Sequence, residues 1–313
     1  MSSIQVPASG GNSQRIIELT RLVRRLHTNN RIALGIIWII ATLVALLFIA
    51  IIILLLVQGI GYLFAPQFYS TGDAGLAAEL FNSFYILILA EVFLFPIALA
   101  AAIYMVEYAR QGPLVTILHF AAETLAGVPS IVLGLFGALA FGTFAHLGTS
   151  RLTGALTLLC LNLPLALRLF EDALATVPRE LREGGLALGA TRWQTIRTVV
   201  LPSALPGIVT GLILSAGKII GEAAALIFTM GSSNPPNLFS SLSTLFSPFV
   251  ASDTLSIHIW YIKTAGAGST SLTTPQETAI AAGSSALLIL ILLLINLVAR
   301  GLSRYIQHRV TAA

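Results

Sequence analysis

Five ionisable side chains, Glu91, Glu123, Arg168, Lys218 and Glu222, sit inside or beside stretches that are otherwise apolar. A charge in such surroundings costs at least about 2.5 to 3.5 kcal/mol even on the mildest insertion scale, so each needs a partner or a task. Two tasks fit these residue types. Carboxylates can relay protons, and cations can receive an anion that has shed part of its water. Covalent chemistry has no comparable support. Gly217-Lys218 is not a phosphate-binding loop, because Gly211 stands one residue too far upstream and Ile219 replaces the required Ser or Thr. Ser130 follows Gly-Val-Pro and lacks the Gly-x-Ser-x-Gly surround of a hydrolase nucleophile. His27, His119, His146, His258 and His308 show no ligand spacing, and Cys160 has no second thiol to pair with.

The elements that must position these groups follow from composition. Of 313 residues 56% are hydrophobic and only 10% charged, a balance that leaves too little polar surface for an ordinary cytosolic protein. The net charge of +4 does not gather on a soluble face, which argues against nucleic acid as a partner. Apolar stretches long enough to cross a hydrocarbon layer of about 30 Å run over 32–57, 81–106, 122–145, 152–170, 204–230 and 278–299. The sequence therefore predicts an all-α integral membrane protein with six transmembrane helices. The first stretch exceeds the h-region of a signal peptide and is read as a retained anchor.

Basic residues orient the chain, since loops rich in Lys and Arg stay in the cytoplasm. Arg15, Arg21, Arg24, Arg25 and Arg31 precede the first span, and Arg110, Arg179, Arg182, Arg192, Arg197, Arg300, Arg304 and Arg309 lie in alternate later segments. Both termini are expected in the cytoplasm. The resulting organisation is a basic segment 1–31, a first span 32–57, an outer loop 58–80, a core 81–303 and a tail 304–313. Within the core lie a cytoplasmic loop, 171–203, and an outer loop, 231–276. Ile16, Leu19, Val23 and Leu26 recur at helical spacing, which suits a helix over 14–27 lying on the inner membrane surface; a solvated basic tail is the alternative. The apolar stretch 255–262 in the outer loop could fold back into the headgroup region.

The cytoplasmic loop has internal design. Pro178 suits the first helical position, Glu180, Leu181, Glu183, Leu186 and Leu188 extend a short helix, and Gly189 can end it in the left-handed conformation. Thr191 followed three residues later by Gln194 reads as a capping box that starts a second helix. Arg182, Arg192, Trp193 and Arg197 supply the arginine and aromatic anchors typical of protein interfaces.

This loop resembles the signature of the permeases of ATP-binding-cassette (ABC) importers: Glu-Ala-Ala, three residues, Gly, nine residues, then an aliphatic, any residue and Leu-Pro. Glu183-Gly184-Gly185, Gly189, Val199 and Leu201-Pro202 reproduce every interval, with Gly-Gly in place of Ala-Ala. Over most of residues 75–305 the chain is similar, more narrowly, to phosphate-specific permeases of the PstA type. The matching blocks are Val106 to Arg110, Gly127 to Phe136, Leu163-Pro164 with Arg168, and Ile220 to Ala224; residues 1–74 match little. The resemblance implies a type I importer permease of MetI-like architecture in a bacterial inner membrane. It implies a PstC-like second permease, a PstB-like ATPase dimer and a PstS-like phosphate-binding protein outside. ATP and Mg would be bound by the partner ATPase, with no cofactor in this chain.

The intramembrane charges then divide. Arg168 stands three and four residues from Glu171 and Asp172, which could hold a snorkelling arginine. Lys218 lies some fifteen helical residues beyond Pro202, near mid-membrane, with Glu222 or Glu91 as a local partner. The resemblance implies a role for both cations, since related permeases carry basic residues at both positions, arginine being usual where Lys218 stands. Arg168, Lys218 and Glu222 are thus expected along a phosphate path, with Glu180, Arg182, Glu183, Gly184, Gly185, Gly189, Trp193, Leu201 and Pro202 forming the ATPase-coupling loop. The competitors are a permease for another oxyanion or solute, and an ion-coupled secondary transporter using Glu91, Glu123 and Glu222.

Overall fold

Proline, glycine and side-chain size decide where this apolar chain stays helical. The computed structural model describes residues 10–70, 75–110, 112–231, 238–239, 241–264 and 274–311, and among them every regular element is a helix. The chain forms two compact units, one ending at Leu54 and one starting at Leu55. Helix α1, Gly10–Leu63, runs through the basic segment and the first apolar stretch without interruption. The expected separate surface helix over 14–27 is therefore absorbed into α1. Thr28-Asn29-Asn30 carries neither proline nor glycine to break it; the side chains of 14–22 lie outside the described residues. From Ile32 to Leu54 the large apolar side chains other than Ile52 are exposed, as suits a helix whose solvent is hydrocarbon.

The second unit is built on α2 (Ala77–Ile103), α5 (Arg151–Ala175), α8 (Leu201–Gly221) and α12 (Thr274–Thr311), packed in that order, α2 on α5, α5 on α8 and α8 on α12. Ala90, Leu94, Ala98 and Ala102 recur every fourth residue along α2 and are fully buried. The three alanines of this row let helix backbones approach closely, which drives packing where no water is displaced. Phe95 of α2 meets Phe170 of α5 edge to face at 5.8 Å.

Two expected spans are broken. The third is a pair, α3 (Pro113–Ala126) and α4 (Ser130–Gly137, extended by a π-helical segment to Phe144), bent by 101°. Gly127 closes α3, and Pro129, with ψ 137°, has no N–H to continue the ladder. The fifth ends at Gly221 rather than 230. Glu222 turns extended, with φ −76° and ψ 124°, and a short α9 follows at Leu226–Thr229. The freed backbone is satisfied locally: Glu222 Oε1 accepts from Ala225 N at 3.1 Å, and Ser256 Oγ donates to the Glu222 carbonyl at 2.8 Å. The two breaks meet, because a Cβ on Gly134 would stand 2.7 Å from Ala225 Cα, so α4 needs glycine there. Among the described residues five helices are long and apolar enough to cross a membrane, and the bent pair, taken as one span, makes six.

The segment between α9 and α12 carries α10 (Leu242–Leu245) and α11 (Leu255–Thr264). Helix α11, which holds residues 255–262, packs on α12 and α2. Leu255 and Ile262 join Phe68, Leu76, Ile280 and Ala281 in a second apolar cluster. Arg151, at the start of α5, is the largest fully buried side chain. Its guanidinium donates to Asn82 Oδ1 (2.5 Å), Ser252 Oγ (3.0 Å) and the carbonyls of Leu245 (2.6 Å) and Ser247 (3.2 Å), and it lies 4.7 Å from the Tyr85 ring centroid. One side chain thereby ties α2, α5 and the 245–252 segment together.

Candidate functional site

Helices α3, α5 and α8 converge on a cavity of about 470 Å³. Arg168, Glu171 and Asp172 reach it from α5, His119 and Glu123 from α3, and Lys218 from α8. Pro164, inside α5, lines the same space. The two cations expected along a path therefore share one cavity. Glu222 is not in its lining; its carboxylate is engaged at the helix break.

The expected local partners of the cations are not their partners. No ion pair joins Lys218 to Glu91 or Glu222: Glu91 accepts from Ser215 Oγ at 2.5 Å, and Glu222 from Ala225 N. Lys218 and Ser215 lie on the same helix, but Glu91 has already found the hydroxyl. Arg168 is not within salt-bridge distance of Glu171 or Asp172, although its charge acts on Glu171; Glu171 Oε2 lies 3.8 Å from His119 Nδ1. Both cations are exposed in the cavity lining. A second cavity, of about 350 Å³, shares His119, Glu171 and Asp172 and continues to Arg179 and Arg182.

The loop after α5 adopts the expected helix, glycine turn, helix. Pro178 stands at the N-cap, one residue before the position expected for it, and α6 runs Arg179–Ala187. Gly189 has φ +85°, and the Thr191–Gln194 capping box is complete, with bonds of 2.8 and 3.3 Å. Helix α7, Arg192–Thr195, passes through a π-helical turn, Ile196–Val200, into α8. The Leu201 N–H reaches back to the Ile196 carbonyl, and Pro202, with no N–H to give, continues the helix. Leu188 is 90% exposed and Trp193 54%, an apolar tip beside the polar faces of Glu180 and Glu183. Arg182 is half-buried, donates to the last-turn carbonyl of Leu174 at 2.7 Å and lies 3.3 Å from Glu107, so within this chain it braces the loop against α5 and the π-helical segment Tyr104–Tyr108 that follows α2.

The Gly-Gly departure has a partial physical cause. A Cβ on Gly185 would sit 2.9 Å from Thr195 Cγ2 in the second helix, whereas one on Gly184 meets nothing. Gly184→Ala is expected to stabilise the loop by about 1 kcal/mol through helix propensity alone. Gly185→Ala loses that gain to the clash, and a further Thr195→Ser restores it. Thermal unfolding of the purified protein measures all three, and an equal response of the two glycines would refute the close contact as the cause.

Sequence reasoning missed three things: the burial of Arg151, the place of His119 in the cavity, and a group formed by Glu79, Asp253 and His258. His258 Nδ1 lies 3.3 Å from Asp253 Oδ2 and 3.8 Å from Glu79 Oε1. Burial pulls the basicity of the His258 imidazole down, but its hydrogen bond with Asp253 and the charges of Glu79 and Asp253 outweigh that and raise it. No spacing rule could find this group, since its members come from α2, a connecting segment and α11.

Comparison with known proteins adds the following. The profile of the family described as "binding-protein-dependent transport system inner membrane component" matches residues 94–312. The probable ABC transporter permease protein YqgI of Bacillus subtilis (strain 168) is 37% identical over 295 residues, covering 90% of this chain and 98% of that protein. The phosphate transport system permease protein PstA 1 of Mycobacterium tuberculosis (strain CDC 1551 / Oshkosh) is 40% identical over 149 residues, 48% of this chain and 49% of that protein. The match thus spans about half the length of that phosphate permease. Among solved structures, an inward-facing form of the MetNI methionine ABC transporter superposes with a TM-score of 0.55 at 18% identity, over 74% of this chain and 95% of that one, a likeness of fold.

Proposed function

Because this chain belongs to the binding-protein-dependent inner membrane components of ABC transport systems, we propose that it is the PstA-type permease subunit of an ATP-driven importer of inorganic phosphate. Membership makes it a multi-pass, non-catalytic permease subunit of the bacterial inner membrane, working with another permease, a separate ATPase and a binding protein. The phosphate reading goes further. It rests on one observation above the rest: Arg168 and Lys218, from different helices, are exposed in the lining of a common cavity.

The remaining lining supports phosphate over other oxyanions. Glu123, Glu171 and Asp172 would repel an anion that is acceptor-only, such as sulfate. Phosphate near neutral pH retains at least one O–H, which a carboxylate accepts, so it can use both signs of charge in the cavity. Opposed charges also keep binding weak enough for release, which conduction requires. From here the second cavity leads toward Arg179 and the 178–202 loop.

In this reading the loop, with Leu188 and Trp193 outermost, docks on a PstB-like ATPase, and the basic segments of the chain face the cytoplasm. A PstC-like permease supplies the other half of the path and a PstS-like protein delivers phosphate from outside. ATP-driven closure of the ATPase pair would draw the coupling loops together and turn the cavity outward; hydrolysis would reset it. Uptake of labelled phosphate by the assembled transporter tests the substrate. Excess sulfate is expected to leave it unchanged, and effective competition by sulfate would replace the phosphate reading with a broader oxyanion permease.

A further inference from the structure

We propose that Glu79, Asp253 and His258 form a binding site for a zinc-type divalent cation, at the end of the helical unit opposite the 178–202 loop. The position follows from α5: Arg151 at its start bonds to Ser252, next to Asp253, while the loop follows its last residue, Ala175.

The donor set is one imidazole nitrogen and two carboxylate oxygens, which suits a borderline first-row cation with further coordination positions left to water. The spacing fits. Ligand atoms at about 2.0 to 2.2 Å from a tetrahedral zinc stand roughly 3.3 to 3.6 Å apart. The histidine nitrogen lies 3.3 and 3.8 Å from the two oxygens, and all three atoms fall within 4.8 Å of one another. A small rotation about the Glu79 side chain closes the remainder.

Both carboxylates are buried, with 3% and 9% side-chain exposure, and both face the imidazole. The ligands also stand on a braced frame. Ser83 Oγ donates to the Glu79 carbonyl at 2.7 Å and accepts from Leu255 N at 3.0 Å, joining α2 to the start of α11. Ser252 N donates to the Met230 carbonyl at 2.9 Å, which fixes the residue before Asp253. His258, at 17% side-chain exposure, leaves an entrance. This site is separate from the cavity of Arg168 and Lys218 and does not depend on what that cavity carries.

The test uses the purified full-length chain, stripped with a chelator and titrated with Zn2+, Ca2+ and Mg2+ by calorimetry and metal analysis. One equivalent of Zn2+ is expected to bind at least tenfold more tightly than either alkaline-earth ion, and that equivalent should vanish in both His258→Gln and Asp253→Asn. X-ray absorption of the wild-type zinc form guards against a variant that misfolds. It should show only nitrogen and oxygen neighbours at about 2.0 to 2.2 Å. Stoichiometry unchanged in both variants, no zinc bound by the wild-type chain, or a preference for Ca2+ would overturn the proposal and leave an ion-paired clamp.

Discussion

Lys218→Ala lowers phosphate uptake by about 10- to 100-fold while the transporter still assembles, the loss expected when a charge-assisted hydrogen bond to the passing ion is removed. Arg168→Ala behaves alike. The expectation follows from the balance of charge in the cavity, where these two side chains oppose Glu123, Glu171 and Asp172. With either gone, an anion meets three carboxylates and one cation. Neither cation holds a helix in place through an ion pair, so assembly has no reason to fail. Lys218→Arg should retain transport, since it keeps the charge and adds a two-pronged grip. Labelled phosphate uptake, paired with co-purification of the partner subunits, makes the measurement. Wild-type uptake by an assembled Lys218→Ala transporter would remove that residue from the path.

Arg151→Ala produces the second large effect, on stability. The side chain is fully buried and serves four acceptors, among them the Leu245 and Ser247 carbonyls, which its loss leaves without that donor inside a cavity. Such a change is expected to cost about 3 to 5 kcal/mol, combining unsatisfied acceptors with lost packing on Tyr85 and Phe81. Thermal unfolding should fall sharply, and limited proteolysis should open the chain between Leu238 and Ser252 before it reaches α5. Arg151→Lys recovers only part, because one ammonium cannot span acceptors that surround a planar guanidinium. A variant as stable as wild type, with its 238–252 segment protected, would show that Arg151 is not the tie.

The long helices and the loop after α5 were legible in the sequence because their signals are local. An apolar run declares its own length, and Gly189, Thr191 and Gln194 act on backbone within a few residues of themselves. The broken third span was half legible. Gly127 and Pro129 can interrupt a helix on local grounds, but the close approach of Gly134 to Ala225 that accompanies the 101° bend comes from about ninety residues on. Glu222 shows the same limit. Its carboxylate looked like a partner for Lys218 one turn away, yet the helix ends at Gly221 and the side chain caps Ala225 instead. Nothing local announces the burial of Arg151, because its partners, from Asn82 to Ser252, lie 69 to 101 residues distant. The contacts of Arg182 with Leu174 and Glu107 come from outside its own helix and are hidden for a related reason.

The proposed function requires phosphate to cross the membrane through this chain under the power of an ATPase docked at residues 178–202. Phosphate accumulation and ATP hydrolysis measured together in liposomes holding the whole transporter test this most directly. Accumulation should require ATP on the face carrying that loop, stop with vanadate and ignore an uncoupler. Hydrolysis should rise when the phosphate-loaded binding protein is added. Accumulation that persists without ATP, or collapses with the proton gradient, would contradict the account and identify an ion-coupled carrier instead.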